Sequence, residues 1–151
     1  MSSALYEKLI GELCAAVGLP DVDHVLETRS IEVEGFDVRI DHLDSDNEAI
    51  YITFNYGAVS SGRALTVFRL MLEANVLIYA QDQAQLGMDT DTGCIVLLVR
   101  TSFGYDLDGE ALADILTHYA DHGRYWQQNI LQSTDERFEG IASGEFVWLR
   151  A

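Results

Sequence analysis

Between Leu65 and Ile78 the chain reads as a helix whose apolar residues are not confined to one stripe. Leu65, Val67, Phe68, Leu70, Met71, Leu72, Val76, Leu77 and Ile78 are spread around most of the helical circumference. Such a helix must be covered on more than one side, because apolar surface left in water is unfavourable. In a chain of 151 residues, a sheet can cover one side and a second subunit another. A homodimer is therefore expected from this segment alone. A membrane span is not, since Arg69 and Glu73 interrupt a run already shorter than the roughly 20 apolar residues needed.

The remaining elements follow from periodicity. Ser2 and Ser3 precede a helical pattern of Leu5, Tyr6, Leu9, Ile10, Leu13 and Val17, which Gly18 and Pro20 end. A linker is expected next, then extended chain from Ile31 to Leu43 with a turn at Glu34-Gly35. Asp44 to Asn47 reads as a polar turn, and Ala49–Tyr56 as a strand with Ile50, Ile52 and Phe54 on one side. Ser60 or Ser61 can open the second helix. Strands near Ala84–Met88 and Cys94–Thr101 flank a turn closed by Thr92-Gly93. Asp106 or Asp108 opens a last helix carrying Leu112, Ile115, Leu116, Tyr119, Trp126 and Ile130, with Gly123 as a weak point. The order α-β-β-β-α-β-β-α predicts an α+β sandwich of helices on a mostly antiparallel sheet. It forms a single domain over 1–151, with a core from about 4 to 133 and an extension over 134–151. Ile141, Phe146, Val147, Trp148 and Leu149 are too apolar for a solvated tail, so part of the extension should dock or form a strand.

Charge narrows the partners. Twenty-five acidic against nine basic residues leave −16, which repels nucleic acid and anionic lipid and suits a basic or neutral protein partner. The first residues show neither a basic region nor an unbroken apolar run, so a soluble, cytoplasmic protein is expected. Cys14 and Cys94 make no disulfide framework and read as small packed residues.

Chemistry finds little footing. His118 and His122, four apart with Asp114 nearby, could offer metal ligands on one helix face, but no fourth ligand is evident and a solvated face is the plainer reading. The acidic turns at Asp44 and Asp89 lack the Gly and Glu that a calcium loop needs at its sixth and twelfth positions. No nucleophile elbow and no phosphate-binding glycine loop is present. No catalytic residue, metal or cofactor is expected.

Three short motifs stand in a telling order: Leu72-Glu73-Ala74-Asn75 ending a leucine-rich helix, Leu86-Gly87-Met88-Asp89, and Thr92-Gly93 before an apolar strand. The chain in this respect resembles the class I chaperones of bacterial type III secretion, the Tir chaperone (CesT) family, over roughly Leu5 to Leu131. It departs from them in the apolar tail after about Ser133. The resemblance implies a homodimer without enzymatic activity. It would bind the N-terminal region of a secreted effector in the bacterial cytoplasm and keep that segment non-globular for export. Leu65, Phe68, Leu72, Asn75 and Val76 would then form the subunit seam, and Leu9, Leu13, Ile40, Ile52 and Phe54 are candidates for effector-binding apolar patches. A different class also fits the acidity, an immunity or antitoxin-type protein neutralising a folded basic partner.

Overall fold

The computed structural model describes residues 2–104 and 106–142. Among them the order is α1 (Ser2–Val17), α2 (Val22–Thr28), β1 (Ser30–Val33), β2 (Phe36–Leu43), β3 (Asp46–Ala58), α3 (Ala64–Asp82), β4 (Ala84–Met88), β5 (Cys94–Ser102), α4 (Gly109–Trp126) and α5 (Asp135–Ala142). A 3-10 turn over Ser61–Arg63 leads into α3, and a π-helical turn over Gln127–Leu131 prolongs α4. The strands form one sheet in the order β1-β2-β3-β5-β4, with antiparallel β1/β2, β2/β3 and β4/β5 ladders. The α+β class and the order of the expected elements hold.

Two helices were not expected. α2 occupies the linker: the Asp21 carboxylate accepts from the His24 N–H at 3.1 Å, and Arg29 ends the helix at φ 57° with its N–H on the Val25 carbonyl. Only Val25 of its seven residues is buried, so it leaves no amphipathic period to read. α5 lies in the tail and buries Phe138 and Ile141, which is the docking foreseen there. Phe146, Val147, Trp148 and Leu149 lie outside the described residues. The turn at Glu34-Gly35 is as expected: both residues have positive φ, 51° and 89°, and Val33 pairs with Phe36 across it.

The chain divides into two compact units, one of residues up to Phe54 with Arg100–Ala120, the other of Asn55–Val99 with residues from Asp121 on. In the first, α1 buries Tyr6, Leu9, Ile10, Leu13 and Cys14, and the sheet buries Phe36, Val38, Ile40, Ile52 and Phe54. The Tyr6 hydroxyl donates to the Ile40 carbonyl at 2.7 Å, and burial pushes that phenol's pKa up. The Phe54 ring is tilted against Tyr119, with centroids 6.3 Å apart. Outside this core, Arg100 grips Asp46 with Nε–Oδ2 at 2.7 Å and Nη2–Oδ1 at 3.2 Å, and the Tyr51 hydroxyl adds a bond of 2.7 Å. This grip extends β3 back to Asp46, three residues before its expected start.

In the second unit α3 buries Val67, Leu70, Met71, Ala74 and Ile78, and Tyr56, Trp126 and Ile130 are fully enclosed. Gly123 does not weaken α4 idly. A Cβ there would stand 2.4 Å from Cε1 of the Tyr56 ring, so the helix carries glycine to let the ring lie against its backbone. Arg63 fastens the tail: it donates to the carbonyls of Ile130 and Ser133 and to Asp135, and its guanidinium sits 4.5 Å from the centroid of Phe138.

Two expected outcomes follow from this packing. Gly123→Ala should lower stability in urea by about 1–3 kcal/mol through overpacking, although alanine is the better helix former. A neutral or stabilised variant would mean that Tyr56 yields freely. Asp46, held well below the usual carboxylate range first by Arg100 and then by Tyr51, contributes fully above its unfolded pKa of about 4 and loses that contribution as pH falls toward its folded value. The stability difference between wild type and Asp46→Asn should be constant from about pH 7 to 5 and close below about 4. A difference unchanged in acid would show that the carboxylate contributes nothing as an ion.

Candidate partner-binding surfaces

The first surface is the edge of β1, the outer strand of the sheet among the described residues. In an antiparallel ladder, residues alternate between facing the neighbouring strand and facing away. The Ile40 N–H bonds the Arg29 carbonyl at 2.9 Å, and with the register Ile31–Val38 and Val33–Phe36 this fixes the alternation. The main-chain groups of Ser30 and Glu32 therefore point away from β2. Those of Ser30 meet the Thr28 hydroxyl, at 3.4 and 3.5 Å. Ile31 and Val33 are half-buried on the opposite face of the strand from Glu32. They line a cleft of about 260 Å³ whose other apolar walls are Val17, Leu19, Ala113 and Leu116. Val17 is 48% exposed and Leu19 36%. Glu32 and Glu34 rim the cleft, so an open strand edge, an apolar floor and an acidic border coincide.

The second surface is α3. At about 100° per residue, Leu65, Leu72 and Val76 fall within roughly 40° of one line, opposite the buried Val67, Leu70, Ala74 and Ile78. They are 85%, 71% and 71% exposed. Phe68 is half-buried beside this stripe. Asn75 stands on the same shoulder, where its carboxamide accepts from the Leu86 N–H at 2.6 Å and donates to the Leu86 carbonyl at 3.1 Å. The side chain thus takes the place of a neighbouring strand for one residue of β4. It also fixes the rotation of α3 about its own axis, and with it the direction in which the stripe faces.

Of the ten residues singled out in the sequence, Leu65, Leu72 and Val76 share the exposed face of α3, with Phe68 and Asn75 at its shoulder. Leu9, Leu13, Ile40, Ile52 and Phe54 are all buried in the core of the first unit and offer no patch. The reason is that one apolar period serves core and patch alike, and here α1 and both strands turn that face inward. The residues that do line an open apolar cleft, Val17, Leu19, Ile31 and Val33, sit at element ends. Their signal was the apolar Val17 and Leu19 on either side of the helix-ending Gly18.

The two histidines differ in setting. His118 is exposed and lies edge-on to Tyr119, whereas His122 Nδ1 is 3.0 Å from the Tyr56 hydroxyl and its ring leans on Trp126. Among the described residues no group of three or more His, Cys, Asp or Glu could hold a metal ion, and no helix is long and apolar enough to cross a membrane.

Comparison with known proteins places this architecture. The model of the Tir chaperone protein (CesT) family matches residues 8–127. The chain belongs to that family. No curated protein sequence matches it. Similar solved structures include a chain of the ExsC–ExsE complex, with TM-score 0.67 and 19% identity over 87% of this chain and 97% of that one. Another is a chain of the heterodimeric ExoU–SpcU complex from the type III secretion system of Pseudomonas aeruginosa, with TM-score 0.51 and 23% identity over 70% and 85%. Both share the fold. The family match stops before α5.

Asn75 supplies the test of this geometry. Asn75→Ala should destabilise the protein by about 1–3 kcal/mol, since it strips both partners from a partly buried backbone pair. Asn75→Asp should cost more, because it keeps the acceptor but sets a charge against the Leu86 carbonyl. Thermal unfolding checks both, and an aspartate variant as stable as wild type would mean that the clip is not what holds β4.

Proposed function

We propose that this Tir-family chaperone binds the N-terminal segment of a secreted effector in the bacterial cytoplasm and holds it extended and export-competent. It does so as a homodimer joined through α3. The observation that carries the reading is the β1 edge, where outward main-chain groups at Glu32 adjoin a cleft floored by Val17, Leu19, Ile31 and Leu116. An extended chain laid along that edge gains ladder hydrogen bonds and drops alternate side chains into the cleft, which is strand addition. Ordering an unfolded segment costs conformational entropy, and apolar burial together with main-chain bonding offsets it. The acidic rim favours basic residues at the outward positions. A surface of −16 keeps a protein with exposed apolar patches soluble. The similar structures support the reading, since ExsC was solved with ExsE and SpcU with ExoU.

The test is affinity capture from the native bacterium followed by limited proteolysis of the bound protein. One captured protein, protected only over a stretch near its N-terminus, is the expected result. Ile31→Asp and Val17→Asp should each weaken that capture about tenfold or more while leaving the fold intact, because both side chains border solvent. Capture of a compact, fully protected basic protein, unaffected by either substitution, would overturn the proposal in favour of an immunity protein.

A further inference from the structure

Acidic residues are concentrated along the β1 edge, and two of them are opposed. From Asp21 to Asp37 the chain carries six acidic residues against one arginine. In the β1/β2 ladder Glu32 stands directly opposite Asp37, and Ser30 opposite Arg39. Directly opposed residues share a face of the sheet, so two carboxylates meet across the strands, which is unfavourable where no positive charge joins them. The neighbouring arginines turn elsewhere. Arg39 holds Asp41 at 2.8 Å, and Arg29 reaches the same carboxylate at 3.7 Å. Among the described residues neither Glu32 nor Asp37 has an ion pair. Both are exposed, and both line a groove of about 580 Å³ that β1 shares with His24, Val25 and Thr28 of α2.

The ladder dictates what a strand added here presents to these groups. The main-chain groups of Glu32 point outward, so an antiparallel guest exchanges both ladder bonds with it through the residue it sets opposite. That guest side chain lies on the face of Glu32 and Asp37. With strands about 4.8 Å apart, it is adjacent to one carboxylate and within about a Debye length of the other. The guest residues before and after it turn to the other face, beside Ile31 and Val33 and toward the apolar cleft. We infer that β1 selects a short core in its guest, apolar–basic–apolar, with the lysine or arginine seated beside Glu32 and Asp37. The inference rests on the strand-addition reading above and deepens it, since Glu32 acts twice: its main chain offers the ladder and its carboxylate chooses the guest. β1 is only four residues long, so few ladder bonds hold the guest and discrimination at one position weighs the more.

The isotope-labelled full chain, titrated with short peptides and followed by backbone amide NMR, tests this. The peptides share serine–glycine flanks around a valine–X–valine core in which X is lysine, serine or glutamate. The lysine peptide should move the amides of Ile31, Glu32 and Val33 and bind about two- to fivefold more tightly than the serine peptide, with the glutamate peptide weaker again. Glu32→Gln combined with Asp37→Asn should level the lysine and serine peptides while leaving the serine affinity unchanged, and Glu32→Lys should turn the preference to glutamate. Equal affinity for lysine and serine in the wild type, or a lysine preference that survives the double substitution, would overturn the inference. With the serine peptide still moving the β1 amides, the strand-addition reading stands in either case. If no peptide moves those amides, that reading fails and the inference with it.

Discussion

Along α3, Val67, Leu70, Ala74 and Ile78 are enclosed while Leu65, Leu72 and Val76 stand in water on the opposite face. Each such side chain forgoes about 1.5–3 kcal/mol of available burial. The helix has no way to turn the stripe inward, because its other face is already committed and Asn75 is pinned to Leu86. Among the described residues nothing covers the stripe, and in the proposed dimer a second copy would.

The two edge strands of the described sheet are treated differently. At β4 the Asn75 carboxamide satisfies the outward groups of Leu86, which removes a template for strand pairing. At β1 the strand is short and twisted into a two-residue hairpin, and the outward groups of Glu32 adjoin an apolar cleft. In the proposed function, Glu32 and Glu34 beside the cleft would favour a guest with basic side chains over the many acidic chains of a cell.

Much of the fold was legible. The alternation in β2 and β3, the spacing of α1 and α4 and the all-round apolarity of α3 each stated their burial directly. What escaped had physical reasons. α2 buries only Val25, so seven residues carried no period. Gly123 looked like a helix weakness because the ring that demands it, Tyr56, is distant in sequence. The expected client patch at Leu9, Leu13, Ile40, Ile52 and Phe54 turned out to be core, since periodicity tells which residues share a face and not what that face meets. The exposure of Leu65, Leu72 and Val76 was legible, because they exceed what one buried face of a helix can use.

The account stands or falls on whether the exposed face of α3 is covered in solution. A dilution series of the unmodified protein in the analytical ultracentrifuge, carried down to low micromolar concentration at moderate salt, measures this directly. The expected result is twice the 16.8 kDa chain mass, persisting on dilution until a single reversible dissociation sets in. A species that stays at 16.8 kDa at every concentration would contradict it, leaving Leu65, Leu72 and Val76 uncovered.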